Sequence, residues 1–176
     1  MSKKFIGLMI FVLLLTGMMS FTGCSNTVEK ATKEYNVTLN FANAEYVQTG
    51  DENFEHMVVV KDYKLESEEG KQYMDLVNIA LRTVPEGLAG ADTLINDKIA
   101  FNKVSVDGGV ATVDLAGATL NGGSLEESYV ISQIVESLIA SFEEIDSVQF
   151  LVDGEKAESL MGHFDASAPF TEGVTE

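Results

Sequence analysis

The chain has 176 residues, enough for one domain with short flanking segments. It carries 11 lysines and arginines against 28 aspartates and glutamates, a formal net charge of −17. Such a surface repels phosphates and anionic head groups, which excludes nucleic-acid binding and attachment to a membrane through a basic patch. The hydrophobic share of 45% is that of a chain with a packed core and excludes a disordered polymer.

The N-terminus reads as an export signal. Lys3 and Lys4 precede a continuous apolar run from Phe5 to Leu15, followed by the small or weakly polar Thr16, Gly17, Ser20, Thr22 and Gly23. The run is short for a membrane-spanning helix, which needs about 20 apolar residues, so the pattern favours cleavage over anchoring. Cys24 is the single cysteine of the chain, so neither an internal disulfide nor a zinc site built on thiolates is open to it. Phe21-Thr22-Gly23-Cys24 resembles the bacterial lipobox, with Phe21 where leucine is preferred. The resemblance implies cleavage before Cys24 and a lipid anchor on that residue. One acyl chain holds weakly, and stable anchoring takes more than one. Loss of residues 1–23 leaves 9 bases against 28 acids.

Ser25 to Glu34 is polar and aperiodic and reads as a tether spanning at most about 35 Å. Tyr35 to Ala42 alternates, with Tyr35, Val37, Leu39 and Phe41 on one face, which predicts a half-buried strand. A polar loop through Gly50 and Asp51 leads to a second strand, His56 to Leu65, completing a hairpin. From Ser67 to Arg82 the period changes. Tyr73, Leu76, Val77, Ala80 and Leu81 form one helical stripe, with Ser67 as candidate cap and Pro85 and Gly87 as stop. A loop through Asn96 and Asp97 follows.

Ile99 to Leu115 predicts the strongest hairpin, turning at Asp107-Gly108 or Gly108-Gly109; either choice keeps Val104, Val106, Ala111 and Val113 on one face. Ser124 with Glu127 three residues later resembles a capping box, opening a helix whose stripe is Ile131, Ile134, Val135, Leu138 and Phe142. Ser147 to Gly154 reads as a last strand turning at Asp153-Gly154. Glu155 to Gly162 reads as a short helix, and the remainder, aperiodic, as a flexible tail. Two helices with one apolar stripe each must cover a sheet. The expectation is an α+β fold, a two-layer sandwich in which one mixed sheet of about five strands carries both helices on one face.

No catalytic set emerges. His56 and His163 stand apart in the sequence and read as surface or structural residues, and no nucleophile elbow or phosphate loop is present. The acidic groups Glu66/Glu68/Glu69, Glu126/Glu127 and Glu143/Glu144/Asp146 read as solvated faces or helix-start charges rather than as calcium or glycoside-cleaving sites. The expectation is no catalytic residue, no cofactor and no metal.

Val104 to Gly162 carries a glycine-turned hairpin ending in Val113-Asp114-Leu115, a helix with Ile134, Val135, Ser137 and Leu138, and Val152-Asp153-Gly154 closing a strand. With the order of the elements, this resembles the GerMN domains of sporulation and spore germination, over roughly residues 35–165. The usual proline before the hairpin is missing from Leu94 to Lys98. The resemblance implies a non-enzymatic, exported, often lipid-anchored module with a core like the ring-building motif. It also implies envelope proteins or further copies of the chain as partners, beside the membrane reached through Cys24. The domain plan is a signal at 1–23, a lipidated tether at 24–34, a GerMN-like domain at 35–165 and an acidic tail at 166–176. A lipoprotein binding a peptidoglycan fragment or small ligand is the alternative, and a carboxylate-based wall hydrolase ranks third.

Overall fold

The computed structural model describes residues 31–175. Strand β1 (Thr32–Asn43) pairs antiparallel with β2 (Met57–Glu68). β1 starts three residues inside the expected tether, because Thr32, Lys33 and Glu34 pair with Glu68, Ser67 and Glu66. Val37, Leu39 and Phe41 are buried, as the alternation requires. Val37 faces Tyr63 but Leu39 faces Val60, so Lys61 and Asp62 together oppose Thr38. This β-bulge solves a parity problem. Val60 and Tyr63 cannot both face the core along a regular strand, and one extra residue restores the phase. Asp62 takes the strain at φ 57°, a conformation that aspartate tolerates better than most residues.

The expected loop after β1 contains a short helix, α1 (Ala44–Thr49), because Asn43 accepts from the Glu45 and Tyr46 N–H groups at 3.0 and 3.4 Å. The first expected helix is shorter than its stripe suggested. β2 runs on to Glu68, so Ser67 lies buried in the strand and donates to Asp75 Oδ2 at 2.5 Å instead of capping a helix. The chain turns at Gly70 and forms α2 (Gln72–Asn78) and a 3₁₀ turn over Ala80–Arg82. Leu76, Val77, Ala80 and Leu81 are buried as predicted. Arg82 then fixes the long loop, donating to the carbonyls of Asn96 and Ile99 at 2.6 Å each. Within that loop a two-residue strand, β3 (Ala91–Asp92), joins the far edge of β1.

The hairpin of β4 (Phe101–Asp107) and β5 (Val110–Leu115) turns at Gly108-Gly109, with φ of 54° and 85°. Val104 faces Val113 and Val106 faces Ala111. Helix α3 (Ser124–Ser141) crosses over to β6 (Ser147–Val152), which pairs parallel with β5. The Asp153-Gly154 turn returns as β7 (Glu155–Lys156).

The fold is α+β with five long strands, but they form two sheets instead of the single sheet expected. One has the order β2-β1-β3 and the other β4-β5-β6-β7. The cause lies along β1. On the edge away from β2, Ser141 Oγ accepts from Thr38 N–H at 3.0 Å and donates to its carbonyl at 2.9 Å, while Ser137 Oγ accepts from Asn40 N–H at 2.9 Å. With those groups satisfied by α3, no long strand can add there. Helices α2 and α3 also divide their contacts, α2 packing on β2 and β4 and α3 on β1 and β6. Both sheets, α2 and α3 feed one continuous apolar core.

Two C-terminal expectations fail. Glu155 to Gly162 forms β7 and turns, not a helix. The supposed flexible tail is a docked strap. Phe170 and Val148 exchange two backbone hydrogen bonds of 2.8 Å, the Phe170 ring meets Phe150 edge-on, and Gln149 Nε2 donates to the Ala166 carbonyl at 3.0 Å.

Candidate functional site

Helix α3 is buried on nearly every side from Glu127 to Leu138. A helix that is polar at several positions yet buried all round must find partners for its polar groups inside the protein. Each such residue ties down a different segment. Ser137 and Ser141 hold the β1 edge. Gln133 accepts from Leu94 N–H at 2.9 Å, fixing the long loop. Ser132 Oγ accepts from Val174 and Thr175 N–H at 2.8 and 3.1 Å, fixing the end of the strap.

Glu127 is the most heavily bonded. Its fully buried carboxylate accepts from Ser159 Oγ (2.7 Å) and from the N–H groups of Leu160 (2.9 Å), Met161 (3.0 Å) and His163 (2.8 Å). The His163 ring adds its Nδ1 at 3.0 Å. Burial alone would raise the carboxyl pKa, but the donors, Met161 foremost, bring it below the usual glutamate value. A carboxylate so committed is a structural clamp, with its lone pairs occupied and no poise for proton transfer near neutrality. Glu127 is therefore not the capping residue. Gly123 is the N-cap, and Glu126 reaches back to its N–H at 3.0 Å.

The other acidic groups serve local purposes. Glu68 pairs with Lys71 at 2.9 Å, Glu144 accepts from the Tyr73 hydroxyl at 2.5 Å, and Glu143 and Asp146 are exposed. Among the described residues no group of three or more histidines, cysteines and acids is placed to hold a metal. His56 lies far from His163 in role. Its ring stacks on Tyr46 with centroids 3.9 Å apart, and its carbonyl accepts from Tyr129 at 3.3 Å. Burial pushes the Tyr129 hydroxyl up to about 12, so it stays a proton donor. Cys24 lies outside the described residues.

What remains for binding is a surface. Two open clefts, of about 700 and 520 Å³, meet at Val59 on the outer face of β2. The first runs between that face and α3, with Ile139 and Ala140 on its helical wall and Thr171 to Gly173 of the strap closing one side. The second continues past Phe54, Met57 and His56. Val59 is 50% exposed on the outer face of β2, where the alternation would call for a polar residue, and Phe54, in the loop before that strand, is 36% exposed. The sequence reading missed these clefts, since they depend on where the strap docks.

The sequence profile of the Germane family, described as sporulation and spore germination, matches residues 46–158. The chain belongs to the Germane family. No curated protein matches the sequence. Among solved structures, the first GerMN domain of the sporulation protein GerM from Bacillus subtilis is similar with a TM-score of 0.53 at 12% identity, covering 81% of this chain and 97% of that one. The tandem GerMN domains of the same protein give 0.53 at 19% identity; the match covers 81% of this Germane chain and spans 46% of the tandem. A Clostridium perfringens protein described as a candidate lipoprotein gives 0.50 at 16% identity, with 78% and 87% covered. At these identities the likeness is one of fold. Among the described residues of this Germane protein, no helix is long and apolar enough to cross a membrane.

Proposed function

We propose that this Germane protein is a non-enzymatic interaction and assembly module, held by lipid on Cys24 at the outer face of the bacterial cell membrane and serving sporulation or germination. The family match over residues 46–158 carries the reading. The lipobox-like Phe21 to Cys24 after an apolar run supports the anchor, as does the likeness to the Clostridium perfringens candidate lipoprotein. Glu127, the best-connected acid, is consumed by backbone contacts, which fits a scaffold better than a catalyst.

Crosslinking in intact membranes, followed by identification of the crosslinked neighbours, tests the module. Recovery of envelope proteins or further copies of the chain supports it, and a chain that crosslinks to nothing counts against it. Metabolic labelling with a fatty-acid analogue tests the anchor, with labelling expected in the native chain and lost in Cys24→Ser. A second reading, binding of a peptidoglycan fragment or small ligand, draws on the cleft of about 700 Å³, a size within the usual range for ligand sites. Saturable binding to purified peptidoglycan would favour it.

A further inference from the structure

We propose that the joined clefts at Val59 form a docking groove for a basic, apolar-anchored segment of a partner polypeptide. The inference rests on the interaction-module reading and names the surface and the chemistry of its partner.

Three observations carry it. The groove carries apolar side chains that lie outside the core: Val59 and Phe54 face it, Val59 keeps half its surface in water, and Ile139 on the helical wall extends the apolar lining. Burying those side chains against a partner supplies the anchor. The rim is acidic. Glu52, Glu55, Glu136 and Glu172 line the groove, with Lys61 as the one lysine or arginine among the described residues that line it. Glu136 lines the groove together with Thr171 to Gly173 of the strap; burial raises its pKa, and a cation brought alongside would relieve that cost. The chain as a whole is strongly acidic, with 28 acids against 11 bases.

Charge also selects among occupants. A second copy of this chain would bring acid to acid, an anionic lipid surface would bring phosphate to acid, and both are opposed. A segment with lysines or arginines flanking an apolar side chain meets both the rim and the floor. The groove's length favours an extended or helical peptide over a compact ligand, since it runs from the α3 wall past Val59 to Phe54 and His56.

The test uses the full-length chain purified in neutral detergent. The probe is a peptide of alternating lysine and leucine, with its glutamate-for-lysine counterpart as control. The lysine peptide is expected to bind, the glutamate peptide not, and the affinity to fall as salt rises. Glu172→Lys and Val59→Lys should each weaken binding about tenfold or more. Glu155→Lys, which makes the same charge change on β7 outside the groove lining, should leave it within about twofold. Equal weakening by Glu172→Lys and Glu155→Lys would mean attraction to net charge alone and would overturn the groove. So would equal binding of the two peptides, or no binding of either. If Val59→Lys lowers the melting temperature, Glu172→Lys decides, since that residue is exposed on the strap. Membrane crosslinks that survive both groove substitutions sink this proposal and leave the interaction module standing, whereas a native chain without crosslinks sinks the module itself.

Discussion

The two ends of α3 solve the same problem by different chemistry. At the C-terminal end, Ser137 and Ser141 satisfy the open edge of β1 with neutral hydroxyls. At the N-terminal end, Glu127 gathers a serine hydroxyl and three backbone N–H groups with a buried charge. The neutral end fixes a strand that already has β2 as a partner. The charged end organises a segment, Ser159 to His163, that has no regular secondary structure of its own. A buried carboxylate is costly unless fully bonded, and when fully bonded it constrains its donors far more tightly than a hydroxyl does. The lesson is that the fold spends its charge where the chain has least structure to offer.

Breaking the charged end should produce the largest effect. Glu127→Ala strands four donors and is expected to cost about 3 kcal/mol or more in chemical unfolding, with the 159–175 region gaining fast amide exchange. A loss under about 1 kcal/mol would show that the clamp is not the organising element. The same residue gives a pH signature. Its folded pKa is lowered, so its contribution is full above the ordinary glutamate range and is lost as pH falls through the lowered value. Glu127→Gln should therefore unfold with a flatter acid dependence than the native chain, the two converging at low pH. Parallel curves would contradict the assignment.

At the neutral end, Ser137→Ala leaves the Asn40 N–H buried without its partner and should cost about 1–2 kcal/mol, with no change in acid dependence. Exchange at Asn40 should quicken while the strap stays protected. The smallest effect belongs to Ser132→Ala, at about 1 kcal/mol, loosening Val174 and Thr175. If it loosens Ser159 to His163 as well, the strap and the clamp form one cooperative unit.

Much of the fold was legible in sequence, because alternation and helical stripes report burial directly. Val37, Leu39 and Phe41, the α2 stripe and the α3 stripe all sit where their spacing placed them, and the hairpin turns at Gly108-Gly109, one of the two turns its spacing left open. What escaped was polar. Ser137 and Ser141 look like ordinary helix serines until the strand edge beside them is known. Glu127 stands at the spacing of a capping box, and its true partners lie over thirty residues downstream. The tail has no periodicity because its strap is held by isolated backbone bonds to Val148 and Ser132, which no pattern in its own residues encodes. The Val59 groove inherits that blindness, since the strap forms one of its walls.

The bulge at Lys61 and Asp62 has a consequence beyond the core. β2 is a twelve-residue strand at the rim of its sheet, and a straight strand of that length is a template for lateral zippering into fibres. A bulge at the middle of this rim and the charges of Lys61, Asp62 and Lys64 beside it disfavour such edge-to-edge pairing. Deleting one residue of the bulge would therefore threaten colloidal stability as much as folding, with turbidity and thioflavin fluorescence rising in concentrated solution.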